Sequence, residues 1–121
     1  MRQTLDWRLV KVVPQLINVH PSFCEPPHAV THPVKANFLM RKFLNGGWDP
    51  TRPALVGYWS EDGIQLMSGS HRWAAAWDAN IAMPVVVWEW HTISEAFGNL
   101  KLWEALMASG LPENRKALFN I

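Results

Sequence analysis

The sequence predicts one α+β domain in which a small mixed sheet of about four strands packs with three or four helices. The chain has 121 residues and a mass of 13.8 kDa, so we expect residues 1–121 to form a single domain. Apolar residues make up 49% of it, which is enough to build a core without disulfides. Strand-like and helix-like segments alternate along the chain, as in mixed α/β layers.

The amino-terminal part is predicted to be mostly extended. Residues 7–13 alternate between apolar and polar side chains, which predicts a strand that ends at Pro14. Residues 17–19 predict a further short extended segment. Residues 20–33 contain four prolines, which exclude a continuous helix and indicate an ordered loop.

The first helix is predicted to begin directly after this loop. Thr31 or His32 is the expected cap, because Pro33 is favoured in the first turn of a helix. The helix should end near Asn45, just before two consecutive glycines. The side chains predicted to face the core are Val34, Phe38, Leu39 and Phe43.

The second half of the chain has clearer patterns. Strands are predicted over 53–59 and 64–67, joined by an Asp62-Gly63 hairpin turn. A helix over 71–80 and a strand over 83–90 follow, and the three valines of that strand indicate burial on both faces. The Thr92-to-Glu95 capping-box pattern predicts a long helix ended by Gly110 and Pro112. Its apolar stripe is Ile93, Ala96/Phe97, Leu100, Trp103 and Met107, with Leu102 and Leu106 off the stripe, and residues 113–119 form a short last helix.

Composition narrows the classes of function. A net charge of +1 argues against a domain that grips long stretches of DNA by charge alone. The single cysteine, Cys24, excludes an internal disulfide, and no apolar segment is long enough to span a bilayer. We therefore expect a cytoplasmic protein without membrane contact. Most of the eight tryptophans are expected in the core or a pocket wall, with one or two left to stack on a ligand base.

The strongest candidate site is the turn at Ser68-Gly69-Ser70. It joins a predicted strand to a helix, so free backbone N–H groups and the positive end of the helix dipole favour an anion there. The two serine hydroxyls can add hydrogen bonds, and the Arg72 guanidinium suits phosphate oxygens. His71 can donate to a phosphate or act as an acid or base. The alternative is an ordinary helix start whose Arg72 lies in solvent or has a structural role.

The Pro-rich loop carries two further candidates. His20, Cys24, His28 and His32 recur every four residues, but the prolines exclude the helix that would align them, and the set matches no common zinc module. The sequence therefore predicts no metal site held by the protein itself. Glu25 is a candidate carboxylate facing the phosphate turn, with a solvent-facing loop acid as the alternative.

The segment from Asp62 to Val87 resembles the signature of the ParB/sulfiredoxin superfamily. Gly69-Ser70-His71-Arg72 occupies the family's strand-to-helix turn, and the Ala-rich residues 73–76 open the following helix. Lys35 lies where members place a phosphate-contacting lysine. The resemblance covers roughly residues 8–90 and implies the ParB/sulfiredoxin-like fold, in a stand-alone member of the type found in phages and mobile elements.

This resemblance implies binding of a nucleotide or a nucleic-acid phosphate at Ser68, Gly69, Ser70, His71 and Arg72, assisted by Lys35, with Mg²⁺ accompanying a nucleoside triphosphate. Ser70 stands where sulfiredoxin has its reactive cysteine, so a thiol-dependent sulfinic acid reductase is not expected. The chain is also too short for the DNA-binding and dimerisation domains of ParB, and their second nucleotide motif is not visible.

Two functions remain open from the sequence. An enzyme at this site would be an NTPase, a nuclease or a phosphotransferase, with His71 or Glu25 as the base. The alternative is a non-catalytic phage or mobile-element module that binds a host protein or DNA. The protein would be a monomer or a homodimer in either case.

Overall fold

A five-stranded mixed sheet lies between two layers of helices. The computed structural model describes Trp7 and residues 10–119. The strands are β1 (Gln15–Val19), β2 (Cys24–Glu25), β3 (Leu55–Ser60), β4 (Gly63–Leu66) and β5 (Met83–Trp88), and their order in the sheet is β1-β5-β3-β4-β2. The helices are α1 (Pro33–Gly46), α2 (Ser70–Ala79), α3 (Trp90–Ala96), α4 (Leu100–Met107) and α5 (Pro112–Phe119). The α+β class is confirmed, with slightly more elements than predicted, since two residues of the Pro-rich loop pair as β2.

Strand β5 lies inside the sheet, between β1 and β3, and is buried on both faces, as its valines predict. It runs parallel to β3 and antiparallel to β1, with Val86 opposite both Val56 and Leu16. Val85 and Val87 face the layer of α1 and α2, and Val86 faces α3 and α4. Each of the three valines is at most 1% exposed. Because both faces of β5 are buried, the strand contributes apolar contacts to both helix layers.

The predicted hairpin and turn are confirmed. β3 and β4 are antiparallel, and Gly63 pairs with Ser60 directly after the two-residue turn. Gly63 has a φ of +144°, and a Cβ there would meet the carbonyl oxygen of Phe23. Only glycine fits this position, because the Pro-rich loop lies against it.

The strand predicted over residues 7–13 was wrong for its described residues, whereas the extended segment predicted at 17–19 is part of β1. Residues 10–14 are not part of the sheet, and β1 starts at Gln15, directly after Pro14. Proline has no N–H to donate, so the ladder with β5 begins at the next residue. Val12 and Val13 are consequently exposed. The predicted positions 8 and 9 lie outside the described residues.

Helix α1 has the predicted start and end but not the predicted inward face. Gly47 ends it with a φ of +69°, and Phe43 is buried, with Leu39 partly buried beside it. Val34 and Phe38, however, are 84% and 58% exposed, so their prediction as core residues was wrong. The helix packs on α2 along one side only, and these two side chains lie away from that contact.

The predicted long helix after β5 is two helices. α3 begins at Trp90, two residues before the capping-box threonine. Residues 97–99 are not helical and separate α3 from α4. Asn99 caps α4 by accepting the N–H of Leu102 at 3.1 Å. The interruption rotates α4, so the predicted stripe holds only in part. Ile93 and Ala96 are buried as predicted, but Leu102 and Leu106, placed off the stripe, are also buried against the sheet.

The residues that the rotated stripe leaves outside are apolar. Phe97 and Leu100, predicted to face inward, are 64% and 71% exposed. The predicted last helix is present as α5. No helix found within residues 10–119 has the length and apolarity needed to cross a membrane.

Candidate functional site

A cavity of about 660 Å³ lies where the amino-terminal ends of α1 and α2 approach each other. One wall comes from the Pro-rich loop and the first three turns of α1, and the opposite wall comes from α2. The loop between α1 and β3 closes a third side. Four of the six predicted phosphate ligands, Gly69 to Arg72, line this cavity, and Lys35 joins them from α1.

Gly69 shapes the turn between β4 and α2. Its φ is +89°, a left-handed conformation that favours glycine, and a Cβ there would overlap the side chain of Leu55. The carbonyl of Gly69 accepts the N–H of Trp73 at 2.8 Å and so starts the helix. Within the described part of the chain, no acceptor is paired with the N–H groups of Ser70 and His71. The turn therefore presents the partial positive charge of a helix start to the cavity.

Cations outnumber anions in the cavity lining. Lys35 and Lys42 are two turns apart on α1 and share one face, and Arg52 and Arg72 approach from the other side. Among the described lining residues, Asp49 is the one carboxylate. A hydrogen bond from the Thr51 hydroxyl, a second from its backbone N–H, and the charges of Arg52 and Lys42 hold the pKa of Asp49 below its usual range. The cavity therefore carries a net positive charge that suits an anion.

Arg72 has both a structural contact and a place in the cavity. Its Nη1 donates to the carbonyl of Pro53 at 2.5 Å, and its guanidinium lies 5.5 Å from the centre of the Trp48 ring. Burial, together with the charge of Arg52, lowers the pKa of Arg72. The side chain is thus not a freely solvated arginine. Its hydrogen bond to Pro53 joins α2 to the segment before β3, and its other N–H groups stay available for a ligand.

Ser70 uses its hydroxyl to hold the Pro-rich loop. The Oγ donates to the carbonyl of His28 at 2.8 Å and lies 3.3 Å from the His28 N–H, from which it accepts. Its side chain is buried, so the hydroxyl is committed to this contact and only the backbone N–H is left for an anion. Ser68, the other serine of the turn, is not among the residues that line the cavity.

His71 accepts a hydrogen bond from the backbone. Its Nε2 lies 3.1 Å from the N–H of His32, and the two rings stack with centroids 5.5 Å apart. The His28 ring approaches His71 edge-on at 6.4 Å. Desolvation, followed by the charges of Lys35, His32 and His28, lowers the pKa of His71. The imidazole is therefore neutral near pH 7, and one of its nitrogens is already paired.

The carboxylate of Glu25 and the thiol of Cys24, both in the Pro-rich loop, lie outside the cavity lining. Glu25 is exposed on β2, where it pairs with Gln65 of β4. Cys24 is buried beside it, and burial raises the pKa of its thiol to about 11. The thiol is consequently protonated and unreactive near neutral pH.

The four residues of the metal-like spacing do not converge. Their loop is irregular, and Cys24 is buried in the sheet. His20 instead pairs through its two ring nitrogens with Ser22 and Asn80, each at 2.8 Å. Between residues 10 and 119, no group of three histidine, cysteine, aspartate or glutamate side chains is arranged to hold a metal ion.

Sequence reasoning did not place Trp48, Asp49 or Arg52 in the site, and it left open whether Lys42 extends an anion groove from Lys35. The seven-residue spacing between Lys35 and Lys42 puts both on one helix face and is a signal that could have decided for Lys42. Trp48 stacks on Phe43 with ring centroids 5.1 Å apart, so one predicted pocket-wall tryptophan is present. The loop that carries Trp48, Asp49 and Arg52 has no pattern that places it beside α2.

Known structures share this arrangement of strands and helices. Sulfiredoxin from Arabidopsis thaliana matches with a TM-score of 0.52 and 14% identity, over 69% of this chain and 98% of sulfiredoxin. The C-terminally truncated chromosome-partitioning protein ParB from Caulobacter crescentus, complexed with CTP-γ-S, matches with a TM-score of 0.53 and 17% identity. The chain has the ParB/sulfiredoxin-like fold.

The ParB/sulfiredoxin-like assignment is structural. The match to ParB covers 78% of this chain but only 52% of the ParB chain, so this chain spans about half of the ParB structure. Comparison with protein-family models finds no match, and comparison with curated proteins finds none either. The fold implied by the turn at Gly69 to Arg72 is confirmed. That the protein is of the type found in phages and mobile elements stays a prediction.

Proposed function

We propose that this chain binds the phosphate groups of a nucleotide in the cavity between α1 and α2. The observation that carries the proposal is the convergence of Lys35, Lys42, Arg52 and Arg72 with the amino-terminal turn of α2 on one cavity. Charged donors and free backbone N–H groups bind phosphate oxygens more strongly than neutral side chains do. A nucleic-acid phosphate would use the same donors.

The size and walls of the cavity suit a whole nucleotide. Its volume of about 660 Å³ lies within the range of small-molecule sites. The phosphates would lie at the α2 turn, and the base would lie toward Leu39, Phe43 and Trp48, which supply apolar and aromatic surface. The complex of ParB with CTP-γ-S, which has the same fold, supports a nucleotide over a smaller anion.

The protein residues do not form a magnesium site. Magnesium prefers octahedral oxygen ligands, and Asp49 is the one carboxylate among the described lining residues. One oxygen of Asp49 is already paired with Thr51. Any Mg²⁺ would arrive bound to the phosphates, and no step of the proposal passes through it.

We propose binding without hydrolysis. Nε2 of His71 already accepts the His32 N–H, and Glu25 lies outside the cavity lining. Neither residue predicted as a base is therefore placed to take a proton from water in this state. NTPase and nuclease activities are tested directly by nucleotide and plasmid turnover with Mg²⁺ present.

Calorimetric titration of ATP, CTP, GTP and single-stranded DNA tests the proposal. We expect at least one nucleotide to bind, and Lys35→Ala and Arg52→Ala each to weaken it about five- to tenfold, because each removes a charged donor. Lys101→Ala is the matched control, since it removes an exposed cation from α4, outside the cavity lining. Binding that is absent for every ligand, or lost equally in the control, would reject this site.

A second candidate function is association through an exposed aromatic face formed by Tyr58, Trp90, Phe97 and Trp103. Successive ring centroids are 5.1, 6.0 and 5.7 Å apart, on the α3–α4 side of the sheet. Such a face suits a homodimer better than nucleic acid, because the exposed carboxylate of Glu89, directly before Trp90, would repel phosphates. If so, sedimentation should show a mass that rises with concentration, and Phe97→Ser should abolish that rise. A monomer at all concentrations removes this candidate.

A further inference from the structure

Residues 28–32, here called the strap, are fastened to the first two residues of α2. The Ser70 hydroxyl holds the backbone of His28 through its carbonyl at 2.8 Å and its N–H at 3.3 Å. Nε2 of His71 holds the other end by accepting the N–H of His32 at 3.1 Å. Because α1 begins at the next residue, these bonds fix the amino-terminal end of α1 against that of α2.

The hydrogen bonds of Ser70 and His71 to the strap differ in their response to pH. A hydroxyl does not titrate, so the bonds of Ser70 persist at every ordinary pH. Nε2 of His71 can accept a hydrogen bond only while it is unprotonated, and the neutral ring then carries its proton on Nδ1. Protonation would place a second N–H against the N–H of His32. The contact would change from a hydrogen bond to a repulsion between two donors.

The surroundings of His71 keep it neutral. Lys35 of α1 and the rings of His28 and His32 face it, and desolvation adds to their charges in lowering its pKa. The same cavity also receives Arg72 from α2, and Arg52 and Asp49 from the loop before β3. Cations therefore dominate around His71, and the hydrogen bond to His32 is intact near pH 7.

We infer that His71 is a proton-sensitive latch: its neutral form holds the strap closed, and its protonation releases the His32 end and loosens the α1 side of the anion site. This inference deepens the proposed function by assigning it a regulation. Lys35, in the first turn of α1, depends on the position of His32. Acid should therefore weaken anion binding, although it adds positive charge to the histidines. His71 acts here as a positioning residue.

The latch itself is tested without any ligand, by NMR of ¹⁵N-labelled protein between about pH 5 and 8. At pH 7.5 we expect Nδ1 of His71 to carry the proton and Nε2 to be unprotonated. The amide resonance of His32 should shift with the same midpoint as the His71 ring, and its hydrogen exchange should accelerate below that midpoint. A protonated Nε2 at pH 7.5, or a His32 amide that does not respond to the His71 titration, overturns the inference.

The consequence for the site is tested with sulfate, whose charge does not change between pH 5.5 and 7.5. We expect sulfate to bind the wild-type protein about fivefold more weakly below the His71 midpoint found by NMR than at pH 7.5, the size expected for one lost hydrogen bond. His71→Gln can still accept from His32 but cannot titrate, so its affinity should not fall. His91→Gln, which changes a histidine 79% exposed on α3, should behave like wild type.

The two proposals fail in different ways. Wild-type affinity that rises in acid at least as much as that of His71→Gln overturns the latch, because the added charge then outweighs any loosening of the strap. Absence of sulfate binding at every pH, in wild type and variant alike, counts against the anion site and therefore against the proposed function. In that case the NMR titration of the His32 amide still confirms or overturns the latch on its own.

Discussion

Replacing Arg72 by alanine should lower both ligand affinity and stability, and the structure sets the size of each loss. The guanidinium donates a partly buried hydrogen bond to the carbonyl of Pro53 and lies over the Trp48 ring. A hydrogen bond from a charged group contributes roughly 1.5–3 kcal/mol, and a partly buried cation–π contact adds about 0.5–2 kcal/mol. We therefore expect the free energy of unfolding to fall by about 2–5 kcal/mol.

The affinity loss comes from the N–H groups of Arg72 that Pro53 does not use. One charge-assisted contact with a phosphate corresponds to a roughly ten- to hundredfold weaker Kd when it is removed. Arg72→Lys should recover part of this, because the charge remains and the two-pronged geometry is lost. Arg52 also lines the cavity and is exposed, so Arg52→Ala should weaken binding with little change in stability.

Urea unfolding and calorimetric titration of the same preparations separate the two losses. Titration is done under conditions where each variant remains folded, so a lower affinity is not a consequence of unfolding. An Arg72→Ala protein that is less stable but binds the nucleotide as tightly as wild type would show that this arginine is structural only. It would also refute the reasoning that places the phosphates at the α2 turn.

Three further outcomes follow from the structure. Gly69→Ala should lower the free energy of unfolding, measured in urea, by about 2–4 kcal/mol, because it adds both left-handed backbone strain and overlap with the Leu55 side chain. Gly47→Ala, at φ +69° with no neighbour near its Cβ, should lower it by about 1–2 kcal/mol, and equal losses would contradict the overlap. Cys24, with a pKa of about 11, should react with a thiol reagent at pH 7.5 only as the protein unfolds, and Cys24→Ser should still bind the nucleotide. The pKa of His71 is lowered from 6.5, so its contribution to stability is complete above about pH 6.5 and is lost as the pH falls, which a melting series should show in wild type and not in His71→Gln.

The sequence was sufficient wherever one short segment decides the structure. The Asp62-Gly63 pair predicts its hairpin, and Pro33 predicts the start of α1, because turn and helix-start preferences act within a few residues. The turn at Gly69 to Arg72 is likewise local, and it was enough to predict the ParB/sulfiredoxin-like fold. That residues 1–121 form one domain, and that Ser68 or Glu25 contributes to function, stay predictions.

Pattern reasoning was wrong where a helix had more than one possible neighbour. Phe38 and Phe97 occupy positions that an amphipathic helix would bury, yet both are exposed. α1 lies against α2 along a single side, and the break after α3 turns Leu106 toward the sheet. Periodicity shows that a helix has an apolar face, but packing decides which side is covered.

The sequence by itself determined β3, β4 and β5, the turn at Gly69 to Arg72, and two of the charged groups that line the cavity, Lys35 and Arg72. Only the tertiary structure decided how those groups are used, because that depends on contacts between segments distant in the chain. It brought Arg52 beside Arg72, committed the Ser70 hydroxyl to His28, and paired Nε2 of His71 with the backbone of His32. A side chain's chemistry is written in the sequence, but a hydrogen bond consumes a donor or an acceptor, and which partner it consumes is settled only when the chain folds.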